Sequence, residues 1–388
     1  MTVLAGLRVV TPGAVLEPGW VHVDGAKIAA VGTGLPPTPP VPLEDFQRRG
    51  HWLVPGFIDL HVHGGGGASF TSGDVNEVRR AMAFHLAHGT TRTLASLISA
   101  PLGEMATAAA AVAAVVRGGP GLTGHLVGCH LEGPFLSPRR SGAHEPDHLR
   151  EPEVSSFLDL LRAGDGTVRM VTMAPELPNA RELTRVALEA GLVVAVGHTD
   201  ATYQQALAAF ADGASIATHL FNGMRNVHHR DPGAAVAALN SPNVVCELIN
   251  DGIHLHEAII QLVFNTIGAG RVALITDAIA AAGLGDGTYR LGHREVRVQG
   301  DRVQLKDGPS LAGSALTMDS ALRRAVLDVG LDIKEAVTAV STTPARVLRV
   351  EDRAGSIEPG KDADLVILDE AMEVVEVMAA GRWVRIET

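Results

Sequence analysis

Eight short apolar runs, each separated from the next by a stretch of helical character, constrain the fold of this chain more than any other feature. They are Phe57–Val62, Arg92–Ile98, His125–Leu131, Val168–Ala174, Val193–Gly197, Ser215–His219, Val244–Asn250 and Val272–Asp277. Bounded runs of this length read as buried strands. Between them, Asp74–His88 carries apolar residues at helical spacing. Asn179-Ala-Arg-Glu182 and Thr202-Tyr-Gln-Gln205 have the form of capping boxes, and Asp231-Pro232 that of an N-cap followed by a first-turn proline. Strands alternating with helices imply parallel βαβ units, and eight units predict an α/β chain with a (β/α)8 barrel of the TIM type. A doubly wound sheet is the rival. It needs a G-x-G-x-x-G turn after its first strand, whereas Gly64–Gly67 is a plain glycine run.

The two chain ends read differently. Val3–Val10, Trp20–Val23 and Lys27–Val31 are β-like, broken by Pro-Gly and Asp-Gly turns and followed by the proline-rich stretch Pro36–Pro42. Asp364–Leu368, Glu373–Met378 and Gly381–Ile386 resemble them. The expectation is a small β-sandwich domain built from 1–52 plus 353–388, beside a barrel over 53–352. A length of 388 residues accommodates both, since a barrel uses roughly 250. The 46% apolar content supports a sizeable core and excludes wholesale disorder.

Net charge is −11, from 32 Lys and Arg against 43 Asp and Glu. That argues against nucleic acid or a membrane surface as partner. It also requires any anionic substrate to be met by a local positive group. Cys129 and Cys246 sit in apolar runs and form no disulfide framework. The N-terminus lacks signal-peptide character, and the longest apolar run, Met105–Val116, is too short to span a bilayer. A cytoplasmic protein is expected.

The residues that close the strands carry the chemistry. The first strand ends in His61-Val-His63, the third in Glu132, the fifth in His198, the sixth in His219 and the eighth in Asp277, while the seventh runs on to His254. In a barrel these ends gather on one face, where active sites sit. His61 and His63 are two apart and so point to the same side. Four histidines and two carboxylates in one mouth suit Zn2+ or a similar divalent ion. The set fits two metals sharing Glu132, or one metal plus catalytic groups.

The run Val54-Pro-Gly-Phe-Ile-Asp-Leu-His-Val-His-Gly64 resembles the opening motif of the amidohydrolase superfamily, and Gly360-Lys-Asp-Ala-Asp-Leu365 is similar to its small β domain. Within that superfamily, His130–Phe135, Gly197–Thr202, Thr218–Met224, Asn250–Leu255 and Leu274–Ile279 resemble, in order and spacing, the N-acetylglucosamine-6-phosphate deacetylase family. The resemblance covers nearly the whole chain. It implies a metal-dependent hydrolase that removes acetate from a phosphorylated N-acetyl amino sugar, in amino-sugar catabolism or cell-wall recycling. The galactosamine epimer, a cyclic amide or a deamination substrate are the alternatives.

Residue by residue, the resemblance makes Glu132, His198 and His219 ligands of one metal. His61 and His63, with Glu132, match a second metal site that some members replace by Gln and Asn. Two ions per chain is the preferred reading, with zinc first and iron or another transition metal as alternatives. Asp277 matches the catalytic carboxylate and is placed among the metal residues. His144 matches a catalytic and substrate-binding histidine near the acetamide. Asn222, Gly223, Arg230 and His254 match phosphate or sugar contacts, and Leu311, Ala312 and Gly313 a loop lining the pocket. The carbamylated-lysine subtype is excluded, because none of the four lysines (Lys27, Lys306, Lys334, Lys361) falls at a barrel strand end. A homodimer is implied by the family.

Overall fold

A computed structural model describes residues 2–36, 50–119 and 124–384. Its central feature is one sheet of eight strands: Phe57–Val62, Thr90–Ile98, His125–Glu132, Val168–Met173, Val193–Val196, Ile216–Ala217, Val245–Ile249 and Val272–Ile275. Each pairs in parallel with its neighbour in sequence. The strands are buried on both faces, which is why they read as unbroken apolar runs rather than as alternation.

The first and eighth strands close the sheet into a barrel through a polar seam. Asp277 N–H donates to His61 O at 2.8 Å. Beside it the buried Asp59 carboxylate accepts from Thr276 Oγ1 at 2.6 Å, from Thr276 N at 3.4 Å and from His61 N at 3.2 Å. Burial pushes the Asp59 carboxyl up to about 7 despite these donors.

Several strands end earlier than the apolar runs suggest. Ser215–His219 shrinks to Ile216–Ala217, and Val272–Asp277 stops at Ile275. The backbone turns out of the ladder at the chemistry-bearing residues. His198, His219 and Asp277 have φ of 43°, 26° and 50°, a left-handed conformation uncommon for non-glycine residues and concentrated at functional sites.

The helices pack outside the barrel. Asp74 caps Val75–Ala87 by accepting from Asn76 N at 2.7 Å, and Thr202 with Gln205 forms the expected capping box. Two expected caps are not formed. Asn179 adopts φ 62° and makes no side-chain cap; its amide donates to Pro152 O instead. Pro232, not Asp231, occupies the N-cap of Gly233–Asn240, because the Asp231 carboxylate pairs with Arg225 at 2.9 Å.

Strands from both chain ends form one seven-stranded sheet. Its order is Arg382–Trp383, Val374–Ala379, Leu365–Leu368, Trp52–Pro55, Thr2–Val10, Val15–Asp24 and Lys27–Thr33. Leu4, Leu7, Val21, Leu53, Leu365 and Ile367 pack a separate core there. Residues 37–42 of the proline-rich stretch and 385–386 of the last expected strand lie outside the described residues. A three-stranded antiparallel sheet, Gly287–Leu291, Arg294–Gln299 and Arg302–Leu305, follows the eighth barrel strand and was not expected. Its signal was present: alternating residues broken by the two-residue turns Gly292-His293 and Gly300-Asp301.

The seam generates a prediction. Asp59→Ala leaves three buried donors without an acceptor and should cost about 3 kcal/mol. Urea unfolding of both proteins measures this; a change below about 0.5 kcal/mol, the scatter of ordinary surface substitutions, would mean the barrel closes without it.

Candidate metal centre and active site

Glu132, at the end of the third strand, is the hub. Its Oε1 lies 3.2 Å from His198 Nε2, 3.2 Å from His219 Nε2 and 3.4 Å from His61 Nε2. Its Oε2 lies 3.2 Å from His63 Nε2 and 3.3 Å from His144 Nε2. All six side chains are buried. Two overlapping triads, His61–His63–Glu132 and Glu132–His198–His219, could each hold a metal ion.

The outer ring nitrogens decide which atoms face inward. His61 Nδ1 meets Glu247 Oε2 at 3.2 Å, His63 Nδ1 meets Ser96 O at 3.2 Å, His198 Nδ1 meets Arg140 O at 2.8 Å and His219 Nδ1 meets Asn222 O at 3.1 Å. A carbonyl or carboxylate accepts only, so every Nδ1 donates and leaves an Nε2 lone pair aimed at the centre. The inner nitrogens stand 3.3 Å apart in His61–His63 and 3.1 Å apart in His198–His219. Two nitrogens at about 2.0–2.1 Å from one tetrahedral Zn2+ would sit close to that separation. The donor set therefore fits a divalent cation.

Without a cation the cluster balances its charge with protons. Burial pulls the His61 imidazole down, but Glu132, Glu247 and Asp277 together push it well above its ordinary value. His63 behaves likewise, opposed by burial but raised to about 9 by Asp277 and Glu132. Burial alone would raise Glu132; the surrounding imidazoles, His61 first, hold it well below the carboxylate range.

Asp277 closes the group, with Oδ1 at 3.2 Å from His63 Nε2 and 3.6 Å from His61 Nε2. Burial opposes its ionisation, yet the His63 contact and the His61 charge hold it at about 2. His144 differs from the other histidines. Burial first, then the neighbouring His198, pushes it down to about 4, so it is neutral at pH 7. Ser99 N–H donates to its Nδ1 at 3.3 Å, which leaves its proton on Nε2.

These groups open into a cavity of about 270 Å3. Of the substrate-binding positions expected from the sequence, His144, Asn222, Gly223, His254, Leu311 and Gly313 line it. Gly223 is required there: at φ 60°, an added Cβ would meet His198 Nδ1 at 2.9 Å. His254 is fixed by Asp251, whose Oδ2 accepts from its Nδ1 at 2.6 Å.

Two expected positions lie elsewhere. Ala312 is buried in the apolar core of the three-stranded insert, so only Leu311 and Gly313 face the cavity. Arg230 is exposed on the loop before Gly233–Asn240, its guanidinium against His229 Nε2 at 2.8 Å. No arginine or lysine is found among the described lining residues. A larger hollow of about 980 Å3 on the helix Ala180–Glu189 holds only surface ion pairs such as Arg181–Asp212, and no convergent buried groups.

Sequence reasoning missed Glu247, Ser99 and Asp59. Glu247 is fully buried, with Oε2 on His61 and also accepting from His219 N at 3.3 Å, and with Oε1 unpartnered among the described residues. Its signal was a lone acid inside the apolar run Val244–Ile249.

Comparison with known proteins agrees with this geometry. Residues 52–384 match the Amidohydrolase family. The chain is similar to N-acetylglucosamine-6-phosphate deacetylase of Bacillus subtilis, 36% identical over 97% of this chain and 95% of that one. It is equally similar to N-acetylgalactosamine-6-phosphate deacetylase of Escherichia coli O157:H7, 36% identical over 98% of both. Among solved structures, N-acetyl-D-glucosamine-6-phosphate deacetylase from Mycobacterium smegmatis superposes with a TM-score of 0.93, at 40% identity over 99% of this chain and 100% of that chain. With a family match over most of its length and full-length relatives well above 30% identity, the chain belongs to the amidohydrolase family.

Proposed function

We propose that this chain hydrolyses the acetamide of N-acetyl-D-glucosamine 6-phosphate, releasing acetate and D-glucosamine 6-phosphate. The observation that carries this reading is the set of four histidines whose Nε2 atoms converge on one carboxylate beside a second, ionised one. The M. smegmatis enzyme, solved also in complex with N-acetyl-D-glucosamine-6-phosphate, supports the substrate class. The galactosamine epimer is the second reading, favoured by the E. coli relative. Paired acetate-release assays on the two sugars separate them.

Glu132, His198 and His219 would hold one divalent ion, and His61, His63 and Glu132 a second, zinc in each on this reading. An ion so held supplies a Lewis acid for the amide carbonyl and brings the pKa of bound water from 15.7 to about 7. The chain's own groups do the rest. Asp277, ionised and at the cavity floor, takes a proton at its carboxylate and returns it to the departing nitrogen. Neutral His144 offers its Nε2–H to the acetamide oxygen as negative charge develops there. Leu311 and Gly313 wall the sugar, and Asn222, Gly223 and His254 surround its phosphate end. Among the described residues the cavity wall carries no arginine or lysine; on this reading, which the family resemblance of its motif supports, Arg230 on the exposed loop meets the phosphate charge. We assign the chain to a cytoplasmic homodimer.

Three expectations follow from these roles. Asp277→Asn keeps the shape but cannot accept the proton, and kcat should fall at least ~100-fold with metal content intact; a modest loss would move the base elsewhere. Arg230→Ala should cost about 2–4 kcal/mol in kcat/KM for the phosphorylated sugar and leave N-acetylglucosamine itself nearly unaffected; equal losses on both would make Arg230 structural. Glu247→Ala removes the acceptor that orients His61 and should weaken divalent-metal affinity about 10–100-fold by titration calorimetry. Unchanged affinity would show that His61 needs no such support.

A further inference from the structure

At the opposite end of the barrel, a cleft of about 370 Å3 opens at the feet of the second to fifth strands. Arg92, Arg169, Arg349 and Arg353 line it, together with His125. In a chain of net charge −11 this is an unusual concentration of one sign. Two carboxylates stand nearby, and both are engaged by Arg92: Asp362 at 2.6 Å and Asp364 at 2.9 Å. Lys27 also holds Asp362, at 2.7 Å. Arg169, Arg349 and Arg353 are exposed and have no ion-pair partner among the described residues. Two further polar atoms in the wall are unmatched. Arg92 is 3% exposed, yet its Nε has no partner among the described residues, and neither has the buried Nε2 of His125.

Like charges gathered with too little counter-charge repel, and buried polar atoms without partners cost free energy. Both penalties are relieved by the same kind of guest. We infer that this cleft is an anion site for the phosphate group of a small phosphorylated metabolite. Guanidinium forks match phosphate oxygens two at a time, and the volume lies in the range of small-molecule sites. The site is remote from the chemistry: the strand that starts at His125 ends at Glu132, about 23 Å away at the rise of an extended strand. It nevertheless stands beneath the strands that carry Ser99, Glu132 and His198. The surroundings of His125 agree. Burial first, then the charge of Arg92 with Arg353 adding to it, holds its imidazole below the ordinary value, outweighing Asp362 and Asp364. An anion seated among the arginines would move it back up.

The test uses the full chain with 13Cε1-labelled histidine and follows the His125 ring signal, assigned with His125→Gln. Inorganic phosphate and glucose 6-phosphate are titrated separately against chloride at matched ionic strength. A saturable shift with both phosphates and none with chloride is expected. Arg349→Asn combined with Arg353→Ser should weaken it at least about tenfold. Asn is chosen because Arg349 has φ 56°, which Asn tolerates. An unchanged thermal midpoint shows that the variant is folded. A His125 signal that does not move, that follows chloride equally, or that responds to phosphate as tightly in the variant overturns the assignment. The readout lies on the barrel's far end, so its outcome is independent of the reaction proposed above.

Discussion

One carboxylate among five imidazoles organises the catalytic end of this molecule. Glu132 is buried, and its two oxygens face His61, His63, His144, His198 and His219 at 3.2–3.4 Å. A charge so placed is costly unless compensated. The fold compensates it from outside inward. Glu247, Ser96, Arg140 and Asn222 each hold one Nδ1, so each inner nitrogen is presented to the same point. Such prepositioned ligands suit a cation that must also leave room for a reacting water.

The barrel supplies the rigidity this requires. The first strand carries Asp59 and His61 at alternate positions, with His63 just past its end, so this one segment both seals the seam and supplies ligands. The ladder ends just before His198, His219 and Asp277, which take left-handed backbone conformations beyond the last paired residue. A cost in backbone strain is tolerated where the packed strands beneath leave no alternative. The Arg140–Asp200–Arg225 ion pairs extend this support outward, tying the segment that holds His198 to the loop that begins at His219.

Much of this was legible in the sequence because it depends on period and position. Strands buried on both faces are mostly apolar, so all eight stood out, and the histidine or carboxylate closing the first, third, fifth, sixth and eighth was visible at the end of its run. The parts that were not legible depend on contacts across the fold. Nothing local indicates that Glu247 lies behind His61, 186 positions away in sequence. Ser99 meets His144 Nδ1 with its backbone N–H at 3.3 Å and its Oγ at 2.9 Å, 45 positions away in sequence, a pairing that no local pattern announces. The motif marked Arg230 as a phosphate contact but could not show that its side chain sits on an exposed loop outside the described cavity wall. Ala312 shares the Leu311–Gly313 segment, but its side chain belongs to the insert's core. Caps failed where a competing partner won, as Arg225 did for Asp231.

The central claim is that the Glu132 cluster is a metal centre that drives amide hydrolysis. The direct measurement is acetate release from N-acetylglucosamine 6-phosphate by chelator-stripped protein, reloaded stepwise with zinc while bound metal is counted. Activity should be absent in the stripped protein and rise with occupancy, saturating near two equivalents per chain. Full acetate release by metal-free protein would contradict the account. So would saturation of the cluster with no gain in rate.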